Sequence, residues 1–198
     1  MTEGKRNLFE NLDETIKESK LMDVIDIKSN EEEIKKSKEI KFNNEWKVWY
    51  HNMNIKDWKI TGFEVIHNIN NVYDFWTLFK YLSDINFSVV NLFIMRENIL
   101  PIWEDVMNRN GGTCSIRVNL KQYRALFEEI IIYCLIDKLV SCHAEEINGI
   151  SIIIKGNWGL IKILTKNKDL DIINFLNKDI ISKYNDVSIQ FKKNIPEY

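Results

Sequence analysis

The sequence predicts an α+β fold: one antiparallel sheet with three helices on one face. Short β-favouring stretches recur along the chain, and three longer segments keep a helical apolar period. The two kinds interleave as ββαββαββαβ, the order expected when helices cover one side of an antiparallel sheet. The second face of such a sheet is left open, and loops between strands hang over it.

The length, 198 residues, suits one domain plus at most a tail. With 45% hydrophobic and 28% charged residues the chain can bury a sizeable core. Residues 1–41 are charge-rich and poor in aromatics, with the run Glu31-Glu32-Glu33-Ile34-Lys35-Lys36. They are expected to form a mobile or loosely packed arm, in which Leu8, Leu12 and Ile16 keep the i, i+4 spacing of a short amphipathic helix. The globular part, residues 42–198, begins near Phe42.

Trp46-Lys47-Val48-Trp49-Tyr50-His51 is aromatic and reads as a first strand, with both indoles expected in the core. Asn52 to Lys59 is a polar loop carrying Trp58. Phe63 to Ile69 is a second strand. Asn70 or Asn71 can cap the helix that follows from Val72 to about Leu82. Ser88 to Met95 is a third strand, and Thr113 to Asn119, after the turn signal Asn110-Gly111-Gly112, is a fourth. Lys121 to about Val140 is a long helix. Gly149–Lys155 and Leu160–Thr165 pair around a Gly-Asn-Trp-Gly turn. Asp169 to Tyr184 keeps a helical period through Leu170, Ile173, Leu176 and Ile180, and Val187 to Lys192 is a last strand.

Composition excludes several functions. A net charge of −2 gives no bulk attraction to nucleic acid, so any polyanion site must be a local cluster. The three cysteines, Cys114, Cys134 and Cys142, fit no zinc spacing and are expected as reduced thiols, in the cytoplasm with the nucleus as a second compartment. No apolar run reaches membrane-spanning length, and no signal-peptide core is present, so no membrane partner is expected. His51, His67 and His143 are scattered, no Ser or Cys nucleophile has a recognisable partner, and neither a metal nor a cofactor is expected. Asn, Ile and Lys are heavily used, and all three have A/T-rich codons.

The stretch richest in chemistry is Leu100-Pro101-Ile102-Trp103-Glu104-Asp105. Pro101 disfavours helix at Leu100, so the stretch should be a shaped loop. An indole offers a flat π face, and an ionised glutamate accepts two parallel N–H donors. Guanine presents such a pair at N1 and N2; adenine does not. One Trp-Glu step can therefore stack a guanine and read its edge. The plainer alternative is a surface Trp folded onto the core beside a solvated acid. Trp58 sits between the first two strands and Trp103 between the next two, so two loop indoles could close on a flat ligand from both sides.

Trp46-x-x-Trp49, Trp58, Val72-Tyr73-Asp74-Phe75-Trp76, Ile99 to Asp105 and Asn110-Gly111-Gly112 follow one another in order. The ordered set resembles the mRNA cap-binding family of eukaryotic translation initiation, the E subunit of initiation factor four, from about Phe42 to Phe191. The resemblance implies a curved antiparallel sheet of about eight strands backed by three helices on its convex face. It implies that the 7-methylguanosine cap binds on the concave face, stacked between Trp58 and Trp103, with Glu104 accepting from N1–H and N2–H₂. Methylation at N7 makes guanine cationic, and a cation between two indoles gains attraction beyond ordinary stacking.

The family's phosphate-binding pattern of Arg, any residue, Lys and a further Lys falls here on Lys155, Asn157 and Leu160. Lys162 keeps the strand parity of Leu160 and could face the same side. The family's Arg-Trp pair after Gly-Gly is Thr113-Cys114 here, and its Trp at the methyl edge is Leu164. The sequence ends at Tyr198, soon after the last expected strand, so most of the family's loop over the second nucleotide is expected to be missing.

On the convex face the resemblance implies a scaffold or repressor helix as partner, held by Val72, Trp76, Ile130 and Tyr133. Glu128-Glu129-Ile130 stand where the family has Trp-Leu-Glu. The function implied is cap binding by a monomer that is not an enzyme. Two rivals stand beside it: a protein-interaction module or translational repressor with weak cap affinity, and a nucleotide or sugar hydrolase using Glu104 and Asp105.

Overall fold

The structure, a computed structural model, describes residues 27–82 and 84–195, with side chains from residue 31 on. The helix expected around Leu8, Leu12 and Ile16 lies outside the described residues. Helix α1 (Ile27–Glu39) falls in the charged segment, where Lys36 pairs with Glu32 at 3.2 Å, one turn apart.

Seven strands form one sheet, all neighbours antiparallel: β1 (Lys41–Asn52), β2 (Phe63–Asn71), β3 (Val90–Arg96), β4 (Gly112–Asn119), β5 (Ile147–Lys155), β6 (Trp158–Thr165) and β7 (Ser188–Lys193). Their order is β2-β1-β3-β5-β6-β4-β7. The α+β curved sheet is therefore as expected, with seven strands where about eight were implied. β5 and β6 join through Gly156-Asn157, with Lys155 opposite Trp158 and Gly156 at φ 59°, the sign that a two-residue hairpin turn needs.

Helix α2 (Val72–Tyr81) starts where Asn71 accepts from the Asp74 amide and the Asp74 carboxylate accepts from the Asn70 amide, both at 2.9 Å. This reciprocal pair satisfies donors that a helix start leaves free. α4 (Leu120–Leu135) is capped by Asn119, which accepts from the Gln122 amide at 3.1 Å and donates its side-chain amide to the Gln122 side chain at 3.0 Å. It stops short of the expected Val140 because Asp137 takes a left-handed φ of 56°. Val140 instead bridges to Leu176.

The third expected helix, Asp169 to Tyr184, is broken in two. Asp171 caps a 3-10 turn at Ile172–Phe175, and Asn177 caps α5 (Lys178–Ile181). Two such side chains six residues apart each offer the backbone an alternative to a continuous helix, while Ile172, Leu176 and Ile180 still reach the core. An unexpected short helix, α3 (Val106–Arg109), follows the Trp103 loop. No helix among the described residues is long and apolar enough to cross a membrane.

The main core lies between the sheet and α2, α4 and α5. It takes Trp46 and Val48 from β1, Leu92 and Ile94 from β3, Ile161 and Ile163 from β6. The next residues along those strands point the other way. There Trp49, Phe63, Phe93, Met95 and Ile99 form a smaller cluster that floors part of the open face.

Candidate functional site

A cleft of about 200 Å³ opens on this second face. Trp58, Phe93, Trp103, Asn108, Lys155 and Lys162 are among the residues that line it. Trp58 and Trp103 come from separate loops and each is 48% exposed.

The Trp58 loop closes on itself. Buried His51 stacks under the indole, with ring centres 4.2 Å apart and planes at 21°. Its Nε2 donates to the Asp57 carbonyl at 3.0 Å, because a carbonyl oxygen can only accept. The Asp57 carboxylate takes the Thr61 hydroxyl at 2.6 Å and the Lys59 amide at 2.9 Å. These bonds hold its pKa below the usual carboxylate value. Gly62 packs so tightly that a Cβ there would lie 2.1 Å from the Asp57 carbonyl oxygen. One indole face is therefore backed by imidazole.

The Trp103 loop is held by carboxylate and amide side chains. Asp105 accepts from the Leu100 and Met107 amides, both at 2.9 Å, capping α3 and closing the loop at once. Asn108, 1% exposed, donates to the carbonyls of Leu100 at 2.7 Å and Ile102 at 2.9 Å. Asn148 and Asn194, both buried, donate in turn to the Asn108 side-chain and main-chain oxygens. Glu104 is exposed beside Trp103 without lining the cleft, and has no hydrogen bond or ion pair among the described residues.

Lys155 and Lys162 both line the cleft. Burial, and then the charge of Lys155, lower the Lys162 pKa, so the two cations share one site. Thr113 and Leu164 line it too. Thr113 donates to Asn194 at 3.0 Å. Cys114 faces the opposite way into the core, where burial pushes its thiol up to about 12. Asn157 is exposed in the hairpin turn, and Leu160 lies half-buried between Ile153 and Arg117.

On the helix-covered side Trp76 is 57% exposed, edge-on to Phe75 and Phe79, and Val72 is half-buried near it. Ile130, expected on this surface, is corrected: it is fully buried in the main core. It sits mid-stripe among Tyr123, Leu126, Phe127, Ile131 and Cys134, the arc of α4 that faces the sheet. Tyr133 is half-buried. Glu128 and Glu129 are tied to Arg124 at 2.8 Å and to the Tyr184 hydroxyl at 2.9 Å.

The residues that sequence reasoning missed are those beneath the site. His51 could have been found from strand parity, since it shares a face with Trp49. The Asn108, Asn148 and Asn194 network gives no sequence signal in a chain so rich in asparagine.

The geometry defines an open-faced α+β binding domain whose cleft combines loop indoles with strand lysines. The chain matches the model of the family described as Eukaryotic initiation factor 4E over residues 41–195, and it belongs to that family. It is 29% identical over 135 residues to eukaryotic translation initiation factor 4E of Aplysia californica, covering 63% of this chain and 60% of that protein. It is 32% identical over 130 residues to factor 4E1 of Drosophila melanogaster, covering 62% of this chain and 48% of that one. The chain thus spans less than two thirds of the length of the curated relatives it matches.

Two solved structures share the fold. One is Caenorhabditis elegans eIF4E-3 in complex with the 4E-binding protein Mextli and cap analog, with a TM-score of 0.66 at 18% identity, covering 78% of this chain and 92% of that one. The other is a schistosome eIF4E complexed with m7GpppA and 4E-BP, with a TM-score of 0.67 at 19% identity, covering 78% and 87%.

Proposed function

We propose that the chain binds the 7-methylguanosine cap of mRNA in the open-face cleft and engages a scaffold or repressor helix through Trp76 on the covered face. The observation that carries this reading is the pair of half-exposed indoles, Trp58 and Trp103, lining one cleft with Lys155 and Lys162. A cationic purine between two indoles gains charge–quadrupole attraction. Glu104, without a partner among the described residues, accepts from the guanine edge, and that bond strengthens because the ring carries charge. The two lysines take the phosphates. Family membership supports the same reading, as do the relatives solved with cap analogs and 4E-binding proteins. The chain acts as a monomer in the cytoplasm, in translation initiation or its control.

This is binding without turnover. The family consists of binding factors rather than enzymes, and Asp105 already spends its oxygens on two backbone amides, so Glu104 and Asp105 make a poor acid/base pair. Retention on immobilised 7-methyl-GTP, eluted by 7-methyl-GTP and not by GTP, tests the reading. A second reading, an interaction module with weak cap affinity, is favoured by uncharged Thr113, Asn157 and Leu160 where the family places basic residues. No retention, with the Trp76 surface still capturing a 4E-binding peptide, would support it.

A further inference from the structure

Past the two lysines the open face continues across β6 and β4. Trp158, directly opposite Lys155 in the hairpin, has the same parity as Lys162 and Leu164 and so faces the same side. Arg117 on β4 has the parity of cleft-lining Thr113. Its guanidinium carbon lies 3.9 Å from the centre of the Trp158 ring. Arg117 is exposed, and the indole is half-buried beneath it.

Two features set this pair apart. Arg96 and Arg124 spend their charge on Asp137 and Glu128, whereas Arg117 has no carboxylate partner among the described residues. Secondly, the outward positions of β5, β6, β4 and β7 on this face hold no Asp or Glu. An arginine held over an indole, beside two lysines and facing no anion, is a planar cation already placed for a phosphate or a base. Arg117 lies about 10 Å, two strand spacings, from the strand of Lys155. The three cations step across the sheet from Lys155 on β5 through Lys162 on β6 to Arg117 on β4, so Arg117 stands on the side of Lys162 away from Lys155.

We propose that Arg117, braced by Trp158, is a subsite for the nucleotide that follows the cap triphosphate. It takes the phosphate of that nucleotide through the guanidinium fork, and its base can lie on the outer guanidinium face. The inference rests on the cap-binding reading and adds a second ligand position to it.

The test is fluorescence titration of 7-methyl-GTP and of a five-nucleotide 7-methylguanosine-capped RNA, against the parent, Arg117→Ala and Arg117→Lys. The parent should bind the capped RNA about two- to fivefold more tightly than 7-methyl-GTP, the gain of one exposed ion pair. Arg117→Ala should erase that difference while leaving 7-methyl-GTP affinity unchanged. Arg117→Lys should restore part of it, because it keeps charge and loses the fork. The salt dependence for capped RNA should exceed that for 7-methyl-GTP by about one phosphate in the parent only. If Arg117→Ala weakens both ligands alike, Arg117 serves the triphosphate and the subsite is wrong. The subsite is also wrong if the difference is absent in the parent or survives in Arg117→Ala. Failure of the parent to bind 7-methyl-GTP at all would instead overturn the cap reading beneath it.

Discussion

The covered and open faces of this sheet come from the same strands and differ residue by residue. Towards the helices, β3, β5, β6 and β4 present Leu92, Ile94, Ile150, Ile152, Ile161, Ile163, Cys114 and Ile116, all buried in the main core. Towards the open side they present Asn91, Phe93, Ser151, Lys155, Lys162 and Thr113, all on the cleft. Strand alternation therefore separates the core from the cleft by one residue step. Substitutions on one face should leave the property of the other face nearly intact.

The largest effect belongs to the core. Ile130→Ala removes a fully buried side chain and should cost about 2–5 kcal/mol of folding stability, read from the denaturant midpoint. Cap affinity per folded molecule should not change. If it collapses, the faces are coupled.

Next comes the covered surface. Trp76→Ala should weaken binding of a 4E-binding peptide by about 2 kcal/mol or more, as expected for an exposed aromatic anchor, with 7-methyl-GTP affinity unaltered. Calorimetry with both ligands checks this, and loss of cap binding in a variant that is folded by circular dichroism would break the two-face division.

On the open face, Trp58→Ala or Trp103→Ala should each weaken cap-analogue binding by about 1–3 kcal/mol, the worth of base–aromatic stacking. Thermal midpoints should move little for Trp103, and more for Trp58 because it covers His51. If both variants bind like the parent, the sandwich is wrong.

The smallest effect is expected at the lysines of the cleft. Lys155→Ala should reduce the salt dependence of 7-methyl-GTP binding by roughly one phosphate's worth. An unchanged slope would place the phosphates elsewhere, for instance at Lys192.

Legibility in the sequence divided along the same line. The covered face was readable because apolar residues alternate in strands and recur at helical spacing, which is how Val72–Tyr81 and the sheet came out correctly. Trp46 was legible as core from its neighbours. What failed were interruptions set by single side chains: Asp137 ending α4, and Asp171 with Asn177 splitting the last helix. Ile130 failed because matching it to the family's triplet overrode its position in the apolar stripe of α4. At the site, Trp58 and Trp103 were legible as loop indoles, and Lys162 from strand parity. Strand parity puts His51 on the open face with Trp49, but its place beneath Trp58, like that of Asn108 beneath Trp103, depends on loop closure between residues that no periodicity links.

The central claim, recognition of a methylated guanine by two indoles and a carboxylate, is tested most directly by quenching of intrinsic Trp fluorescence. Titrations with 7-methyl-GTP and GTP should be run in parallel on the parent and on Glu104→Gln. The parent should quench and bind 7-methyl-GTP at least tenfold more tightly, because ring charge adds about 1.4 kcal/mol or more across two indoles and the carboxylate. Glu104→Gln should lose affinity for 7-methyl-GTP. Equal affinity of the parent for GTP and 7-methyl-GTP would contradict cap recognition.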